Sequence, residues 1–599
     1  MASNPVPPAF GVSAIDLTAA NSKALEFDYI VVGGGTAGNA VATRLSQGLP
    51  SAKILIVEAG PVAPDDLGIL VPGRKGTTLF GTYDWNFTTV AQTHLNSRAL
   101  PVNRGKVVGG SSALNFMVWD RAAAAEFDQW EEVGNPGWNW ASMHAAMTKS
   151  EKYLAGPPGS GTQGPVDVVL NRYIPTHQEA WVPAVTQGFN IPVNNDSLQG
   201  NVIGVSLQPS SINPKTYARS YSANAYLPEA GPNLFLLADT EVARINFSPS
   251  GTKQRAVGVT LASGTTITAT KEIILAAGVV QTPTLLEHSG IGQPAVLKAA
   301  NITPLIDLPG VGENYQDHLR LQLSYQLKDP HMSIDVLRYN TTVAAGEMEK
   351  WRAGNPSLFD HTFTGYLFAN WDQVLGSENA SSLTTLAQQS SGESHPSHAA
   401  KLAQLSNPSI PQGEIIYTDG YIGVKGYPAA GTPLSGKHFF TLILALMHPL
   451  SRGSVHINPA DPHGKPLIDP QFLNNEYDVQ ALVGLAKFGR RIAETEPLRA
   501  NWETEYEPGL EVQTDEQFRE WVKNSSMSIF HPTSTAAMLP REKGGVVDPE
   551  LRVYGTENLR VVDASVVPVQ VSAHIQTAVY GIAERAGEII IAVAKAGEN

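Results

Sequence analysis

The sequence predicts an α/β fold in which both ends of the chain contribute to one parallel sheet. Residues 28–32 form a β-branched apolar run that ends in glycines, which is typical of a buried parallel strand. Residues 37–46 have helical composition, and residues 53–57 form a second apolar strand that ends at Glu58. These segments make a β-α-β unit of about 30 residues. Near the C-terminus, LRVVDAS is predicted to be a strand and residues 576–594 a helix, so this end of the chain also has α/β character.

The interior of the chain adds further predicted elements. Strands are predicted at residues 233–246, 256–269, 271–277, 413–418 and 439–447, and a helix is predicted at residues 282–289. The Ser/Gly/Asn-rich stretch at residues 376–397 is predicted to be a mobile surface insertion.

Composition bounds the function classes. With 16% charged and 42% hydrophobic residues among 599, the chain can bury a large core. Its net charge of −14 excludes a nucleic-acid partner, which needs a basic face, and leaves small neutral or cationic substrates open. The absence of cysteine excludes disulfides, thiolate nucleophiles and Cys-ligated metals. No run reaches the roughly 18 apolar residues of a membrane span.

The first strand is followed by a glycine-rich turn. Gly33, Gly35 and Gly38 fit G-x-G-x-x-G, in which the glycines permit a tight turn, close approach to a pyrophosphate and close packing of helix on strand. Glu58 follows Gly38 by 20 residues (58 − 38) and is placed to accept hydrogen bonds from a ribose. A glycine turn without a ligand is the weaker alternative. The acidic Glu58 favours FAD or NAD over NADP.

A second glycine run lies in RGKVVGGSSALNFMVWDR at residues 104–121. Gly109 and Gly110 have no side chains, so a large flat ligand can lie against the backbone there. The alternative interpretation is a flexible loop ahead of a core helix.

Several segments together resemble one family. Residues 105–128 are similar to the first signature of the glucose-methanol-choline oxidoreductases, including Asn115 and Trp119. GVVQTPTLLEHSGIG resembles the second signature, except that Val279 stands where a small residue is usual. LPGVGENYQDH, RSYSANAYL and SRGSVHINPADPHGKPLIDPQFL are also family-like, so the resemblance runs from residue 28 to the C-terminus.

The resemblance implies a Rossmann-like FAD-binding domain at residues 25–315 and 535–599, with excursions in parts of 60–100 and 150–215. An interleaved substrate-binding domain of antiparallel sheet plus helices is predicted at residues 316–534. The family's usual covalent anchor is a histidine before the second glycine run; because the alignment of His94 with it is uncertain, noncovalent FAD is predicted. The predicted FAD contacts are Gly33, Gly35, Thr36, Ala37, Gly38, Glu58, Gly109, Asn115, Phe116, Met117, Val118, Val242, Asp563, Ala564, Ile575 and Gln576.

Two histidines are the candidate catalytic residues. An alcohol gives up hydride readily only when its hydroxyl proton leaves at about the same time, and a neutral imidazole suits that proton transfer near pH 7. His531 and His574 are 43 residues apart (574 − 531), a spacing similar to that of the family's catalytic pair, which implies His531 as general base and His574 as its partner. Most histidines are structural or exposed. A metal site is the rival, but no H-x-x-x-H spacing or flanking carboxylate cluster supports it, and no metal is predicted. No G-x-S-x-G elbow supports a hydrolase.

The predicted reaction is oxidation of a primary alcohol to its aldehyde, with hydride passing to flavin N5 and electrons to O₂. Phe530 before the base resembles fungal aryl-alcohol oxidases, and Phe116 adds a second predicted substrate contact, so an aromatic or allylic alcohol is favoured; core packing is the alternative for Phe530. Three alternatives stay open. They are a sugar or polyol dehydrogenase with a quinone or artificial acceptor, a non-redox FAD-containing cyclase of fungal secondary metabolism, and a pure binding module.

The sequence carries some indications of localisation. Seven Asn-x-Ser/Thr sites suggest a glycosylated protein: Asn86, Asn195, Asn246, Asn301, Asn340, Asn379 and Asn524. Residues 1–26 lack a basic start and an apolar run, so no signal peptide is visible, and a secreted protein with a trimmed leader is favoured over a cytoplasmic one. The oligomeric state stays open.

Overall fold

Two sheets organise the chain in the computed structural model, which describes residues 10–15, 25–390 and 396–597. In the first sheet, the strands from Ser13–Ala14 to Thr266–Leu275 pair in parallel, and those from Thr266–Leu275 to Val242–Ser250 pair antiparallel. Its strand order is Ser13–Ala14, Leu234–Leu237, Ile54–Val57, Glu26–Val32, Thr266–Leu275, Lys253–Leu261 and Val242–Ser250, and Leu559–Val561 also pairs with Thr266–Leu275. The predicted β-α-β unit and the C-terminal strand of the same sheet are therefore confirmed.

The second sheet is antiparallel. Its order is Trp502–Glu507, Leu319–Leu327, Phe439–Leu446, Gly413–Asp419, Gly365–Ala369 and Gly204–Leu207, and Met527–Ser528 also pairs with Leu319–Leu327. Alternate residues point to opposite faces of a strand. Leu321 and Leu323 accordingly pack into a core with the helix Glu476–Ala493, whereas Ile416 and Ile443 lie in a separate apolar cluster on the other face.

Helices pack against both sheets. The longer ones are Thr36–Gly48, Ala124–Glu132, Trp140–Ser150, Trp181–Phe189, Gly278–His288, Thr341–Arg352, Ser377–Gln389, Pro396–Leu405, Glu476–Ala493, Asp515–Ser525 and Gln576–Gly597. The short ones are Leu67–Leu70, Ser111–Leu114, Ser222–Tyr226, Pro294–Ala299, Val336–Tyr339 and Trp371–Leu375. Within the described ranges, no helix combines the length and apolar character needed to cross a membrane.

Each sheet has its own large hydrophobic cluster. The strand Gly204–Leu207 belongs to the second sheet, although it precedes residue 316 and falls in the predicted excursion at residues 150–215. The domain boundaries at 315/316 and 534/535 stay a prediction.

The predicted mobile insertion at residues 376–397 is wrong over Ser377–Gln389, which is a helix. Ala380, Leu383 and Ala387 are buried in the cluster beneath the second sheet. Their i, i+3, i+7 spacing forms an apolar stripe that the surrounding serines and threonines conceal in composition. Residues 391–395 of the predicted insertion lie outside the described residues.

Candidate functional site

The glycine turn after Glu26–Val32 has little room for side chains. A Cβ on Gly33, whose φ is +104°, would lie 2.4 Å from the Ala276 carbonyl oxygen. A Cβ on Gly38 would lie 1.8 Å from the Gly33 carbonyl oxygen, so helix Thr36–Gly48 packs against the turn only because residue 38 is glycine. At Gly35 the nearest atom would be 3.8 Å away, and no side chain caps the helix. The start of the helix therefore presents open backbone N–H groups, which suit a phosphate.

Glu58 is held at the end of the neighbouring strand. The backbone N–H groups of Gly34 and Gly60 donate to its two carboxylate oxygens at 2.7 and 2.8 Å. Burial raises the pKa of Glu58 to about 7, against the lowering effect of these two hydrogen bonds. Glu58 lines the cavity described next, where its remaining lone pairs can accept ribose hydroxyls.

A cavity of about 830 Å³ extends from the glycine turn to the second sheet. It is lined by the predicted cofactor residues Gly33, Gly35, Thr36, Ala37, Glu58, Asn115, Phe116, Met117, Val118, Val242, Asp563, Ala564, Ile575 and Gln576. Gly38 and Gly109 lie outside the lining: Gly38 packs on Gly33, and the Gly109 N–H donates to the Gly34 carbonyl at 2.8 Å. A side-chain-free turn, an open helix start and a held carboxylate in one cavity fit a dinucleotide such as FAD.

His531 and His574 meet at the far end of this cavity. Their ring centroids are 4.6 Å apart and the rings are nearly perpendicular at 80°. The loop before His531 is fixed by several contacts. The His531 N–H donates to Asp317 Oδ1 at 2.9 Å, and Arg104 Nη2 donates to the Phe530 carbonyl at 2.7 Å. Phe530 adopts a left-handed φ of +66°, an uncommon conformation for an aromatic residue.

The two imidazoles have opposite electrostatic surroundings. Burial, followed by His574, His318 and Arg104, holds the pKa of His531 well below its usual value. Burial also opposes the charged form of His574, but the carboxylates Glu414 and Asp120 outweigh it and raise the pKa of His574 to about 8. Near pH 7 the site therefore pairs a neutral His531 with a protonated His574.

Comparison with known proteins identifies the family. Residues 27–320 and 449–583 match the N-terminal and C-terminal family models described as GMC oxidoreductase. The chain belongs to the GMC oxidoreductase family. The predicted family is confirmed, and the chain is an FAD-dependent oxidoreductase.

Individual relatives cover nearly the whole chain. The GMC oxidoreductase family protein Mala s 12 of Malassezia sympodialis is 34% identical, and the match covers 94% of this chain and 92% of that protein. An FAD-dependent oxidoreductase from Chaetomium thermophilum superimposes with a TM-score of 0.85 at 29% identity, covering 95% of this chain and 100% of that one. A fungal aryl-alcohol oxidase gives 0.79 at 27% identity, with the same coverage. The predicted α/β fold class is therefore confirmed.

Two carboxylates beside His574 escaped the sequence analysis. Glu414 Oε1 lies 2.9 Å from His574 Nε2, and Asp120 accepts the His574 backbone N–H at 3.1 Å. Neither carboxylate flanks a histidine in the sequence; the fold brings both to His574 from segments far apart in the chain. One ligand atom of each of the three residues lies within 4.8 Å of the others, but His574 Nε2 is already bonded to Glu414. The absence of a metal from this site stays a prediction.

A third histidine, His318, contacts His531. His318 is fully buried, and its Nδ1 lies 3.1 Å from His531 Nδ1 with the rings nearly perpendicular. His318 ends the family-like segment GENYQDH, so the sequence could have indicated it. No role was predicted for His318 because only the spacing of His531 and His574 was used. Glu414 lies in the strand Gly413–Asp419, which carries no family motif in the sequence.

The cavity is lined largely by apolar side chains near the two histidines. Phe116 packs edge-to-face on Phe363 at 5.4 Å between centroids, and Phe530 also lines the cavity. Aliphatic residues complete the wall: Ile416, Ile422, Ile443, Met527 and Ile529. His94 is exposed on a short 3₁₀ helix and does not line the cavity.

Proposed function

We propose that this GMC oxidoreductase oxidises a primary alcohol, aromatic or allylic, to its aldehyde and passes the electrons to O₂. The observation that carries this proposal is the close pairing of the His531 and His574 rings, 4.6 Å apart, in one cavity with the glycine turn and Glu58. Burial favours the neutral form of His531, and Glu414 and Asp120 favour the protonated form of His574. Noncovalent attachment of FAD is supported by the position of His94 outside the cavity.

His531 acts as the general base. One proton must lie between the Nδ1 atoms of His531 and His318, since they are 3.1 Å apart. When His531 donates this proton, its Nε2 carries none and can accept the hydroxyl proton of the substrate. In this arrangement His318 accepts the hydrogen bond and acts as a positioning residue for His531. The glycine turn, Glu58 and the other cofactor residues of the cavity would hold FAD, which would supply the hydride acceptor.

His574 holds the substrate oxygen. Its Nε2–H is directed to Glu414, which leaves the Nδ1–H of the imidazolium as a donor. A positive charge next to the developing alkoxide lowers the barrier to hydride loss. The protonated His531 that remains after substrate oxidation supplies positive charge for the subsequent reaction with O₂.

The walls favour an aromatic alcohol. Phe116, Phe363 and Phe530 offer ring edges and faces, whereas a polyol needs many hydrogen-bonding groups along the wall. The structural likeness to a fungal aryl-alcohol oxidase supports the same choice.

Anaerobic mixing with benzyl-type alcohols tests the proposal. The yellow holoprotein should lose its flavin absorbance, and readmitted air should restore it with formation of peroxide. Glucose serves as the control substrate. Bleaching by glucose alone would overturn the aromatic assignment in favour of a sugar dehydrogenase, and turnover without bleaching would indicate a non-redox enzyme.

The rate of flavin reduction should depend on the proton of His574. Because its pKa is about 8, the rate should fall as the pH rises through that value. In Glu414→Gln the carboxylate that raises this pKa is absent, so the fall should begin at lower pH. A stopped-flow pH profile measures the shift, with Glu349→Gln at an exposed helix position as the matched control. A profile that does not move in Glu414→Gln would contradict the role of the protonated His574.

A further inference from the structure

The side chain of Arg320 lies among apolar side chains of the cavity. Arg320 is on the strand Leu319–Leu327 and lines the cavity with Phe363, Ile416 and Ile443. Its neighbours Leu319 and Leu321 point to the opposite face, into the core beneath the second sheet. Strand alternation therefore directs Arg320 towards the substrate space.

Arg320 is without an ionic partner among the described residues. Within the part of the chain that the structure describes, its guanidinium makes one hydrogen bond, from Nη1 to Gln322 Oε1 at 2.9 Å. The carboxylate whose charge reaches it, Glu507, accepts from Tyr421 Oη at 2.7 Å and from Gln322 Nε2 at 3.3 Å. Burial lowers the pKa of Arg320 to about 10, so the guanidinium stays charged near pH 7.

The guanidinium groups of Arg121, Arg490 and Arg104 have protein partners. Arg121 pairs with Glu151 at 2.7 Å, and Arg490 pairs with Glu505 at 2.6 Å. Arg104 also lines the cavity, but it donates to the backbone carbonyls of Asn103 and Phe530. A guanidinium taken out of water is costly unless it is paired. Arg320, with most of its donors directed at a cavity, thus has the properties of a ligand-binding group.

Its position is next to the catalytic pair. Arg320 is in register with Met527, and Leu319 is in register with Ser528, on the short strand that leads to His531. His318, which directly precedes this strand, contacts His531. Arg320 and His531 line the same cavity, so one small molecule bound there can contact both side chains.

We propose that Arg320 binds a carboxylate carried by the alcohol substrate, which makes the substrate class an alcohol acid such as a hydroxymethyl-aryl carboxylate. This inference rests on the proposed alcohol oxidation. Arginine suits a carboxylate because its planar donors match the two oxygens. The overall charge of −14 had left neutral and cationic substrates open, but a local guanidinium in a low-dielectric cavity outweighs distant surface charge.

The test compares 4-(hydroxymethyl)benzoate with its neutral methyl ester in anaerobic reduction of the holoprotein. We expect the alcohol concentration that gives half-maximal flavin reduction to be roughly tenfold to a hundredfold lower for the acid than for the ester. This factor corresponds to the contribution of charge-assisted hydrogen bonds to binding. Arg320→Gln should abolish this preference, and Arg320→Lys should keep part of it. Arg352→Gln, at an exposed arginine paired with Glu349, should keep all of it.

The outcomes separate the two proposals. If no alcohol reduces the flavin, the proposed function fails. If alcohols reduce it but the acid and the ester are equivalent in the wild type, carboxylate binding is overturned and alcohol oxidation stands. Equal loss for both compounds in Arg320→Gln would assign Arg320 to structure. If Arg320→Gln loses FAD, the preference for the acid over the ester in the wild type and in Arg320→Lys still tests carboxylate binding.

Discussion

Replacing His531 with alanine should lower the rate of flavin reduction by alcohol by about a hundredfold to ten-thousandfold, the usual contribution of a general base. The substrate hydroxyl then loses its proton acceptor, while His574 and the walls of the cavity remain. FAD should stay bound, because the glycine turn and Glu58 lie at the other end of the cavity. Rapid-mixing absorbance measures the rate, and the flavin spectrum of the purified variant measures occupancy.

His94→Ala is the matched control for this change. His94 is exposed and outside the cavity, so the variant should reduce its flavin at the wild-type rate. The general-base assignment is wrong if His531→Ala retains more than about a tenth of the wild-type rate at saturating alcohol.

Gly38→Val should yield protein that lacks FAD or does not fold. The Cβ would lie 1.8 Å from the Gly33 carbonyl oxygen and 3.3 Å from the Ala276 side chain, so both turn and strand would have to move. Overpacking at such a site costs about 1–3 kcal/mol or more, and the displaced helix start can no longer face a phosphate. The ratio of flavin to protein absorbance and the thermal midpoint report the two effects.

Gly346→Ala is the control for Gly38→Val. Gly346 lies inside the helix Thr341–Arg352, and a Cβ there would meet no atom within 4 Å. It should raise helix stability by about 0.5–1 kcal/mol and leave FAD bound. Full flavin occupancy in Gly38→Val would show that close packing of this helix is not required for the cofactor.

Local sequence patterns predicted the cofactor half of the molecule well. The strand, glycine turn, helix and Glu58 are contiguous and follow from spacing, and Gly33, Gly35 and Glu58 line one cavity as expected. The histidine spacing predicted a pair, and His531 and His574 do lie together. In these segments, short-range geometry largely dictates the arrangement.

Contacts that depend on sheet register were not predictable. Glu414 reaches His574, and Arg320 reaches the cavity, because of strand pairing between segments far apart in sequence. The family models leave residues 321–448 unmatched, and this stretch supplies Phe363, Ile416 and Ile443 of the cavity wall. Family membership therefore defines the redox machinery of the site more closely than its substrate.

Anaerobic reduction by an aromatic alcohol carrying deuterium at the carbinol carbon tests alcohol oxidation most directly. We expect the protiated alcohol to bleach the flavin and the deuterated one to bleach it several-fold more slowly, because the C–H bond breaks as His531 takes the hydroxyl proton. A flavin that stays oxidised with every alcohol, or one that bleaches equally fast with both isotopes under conditions where reduction limits the rate, would contradict hydride removal at this site.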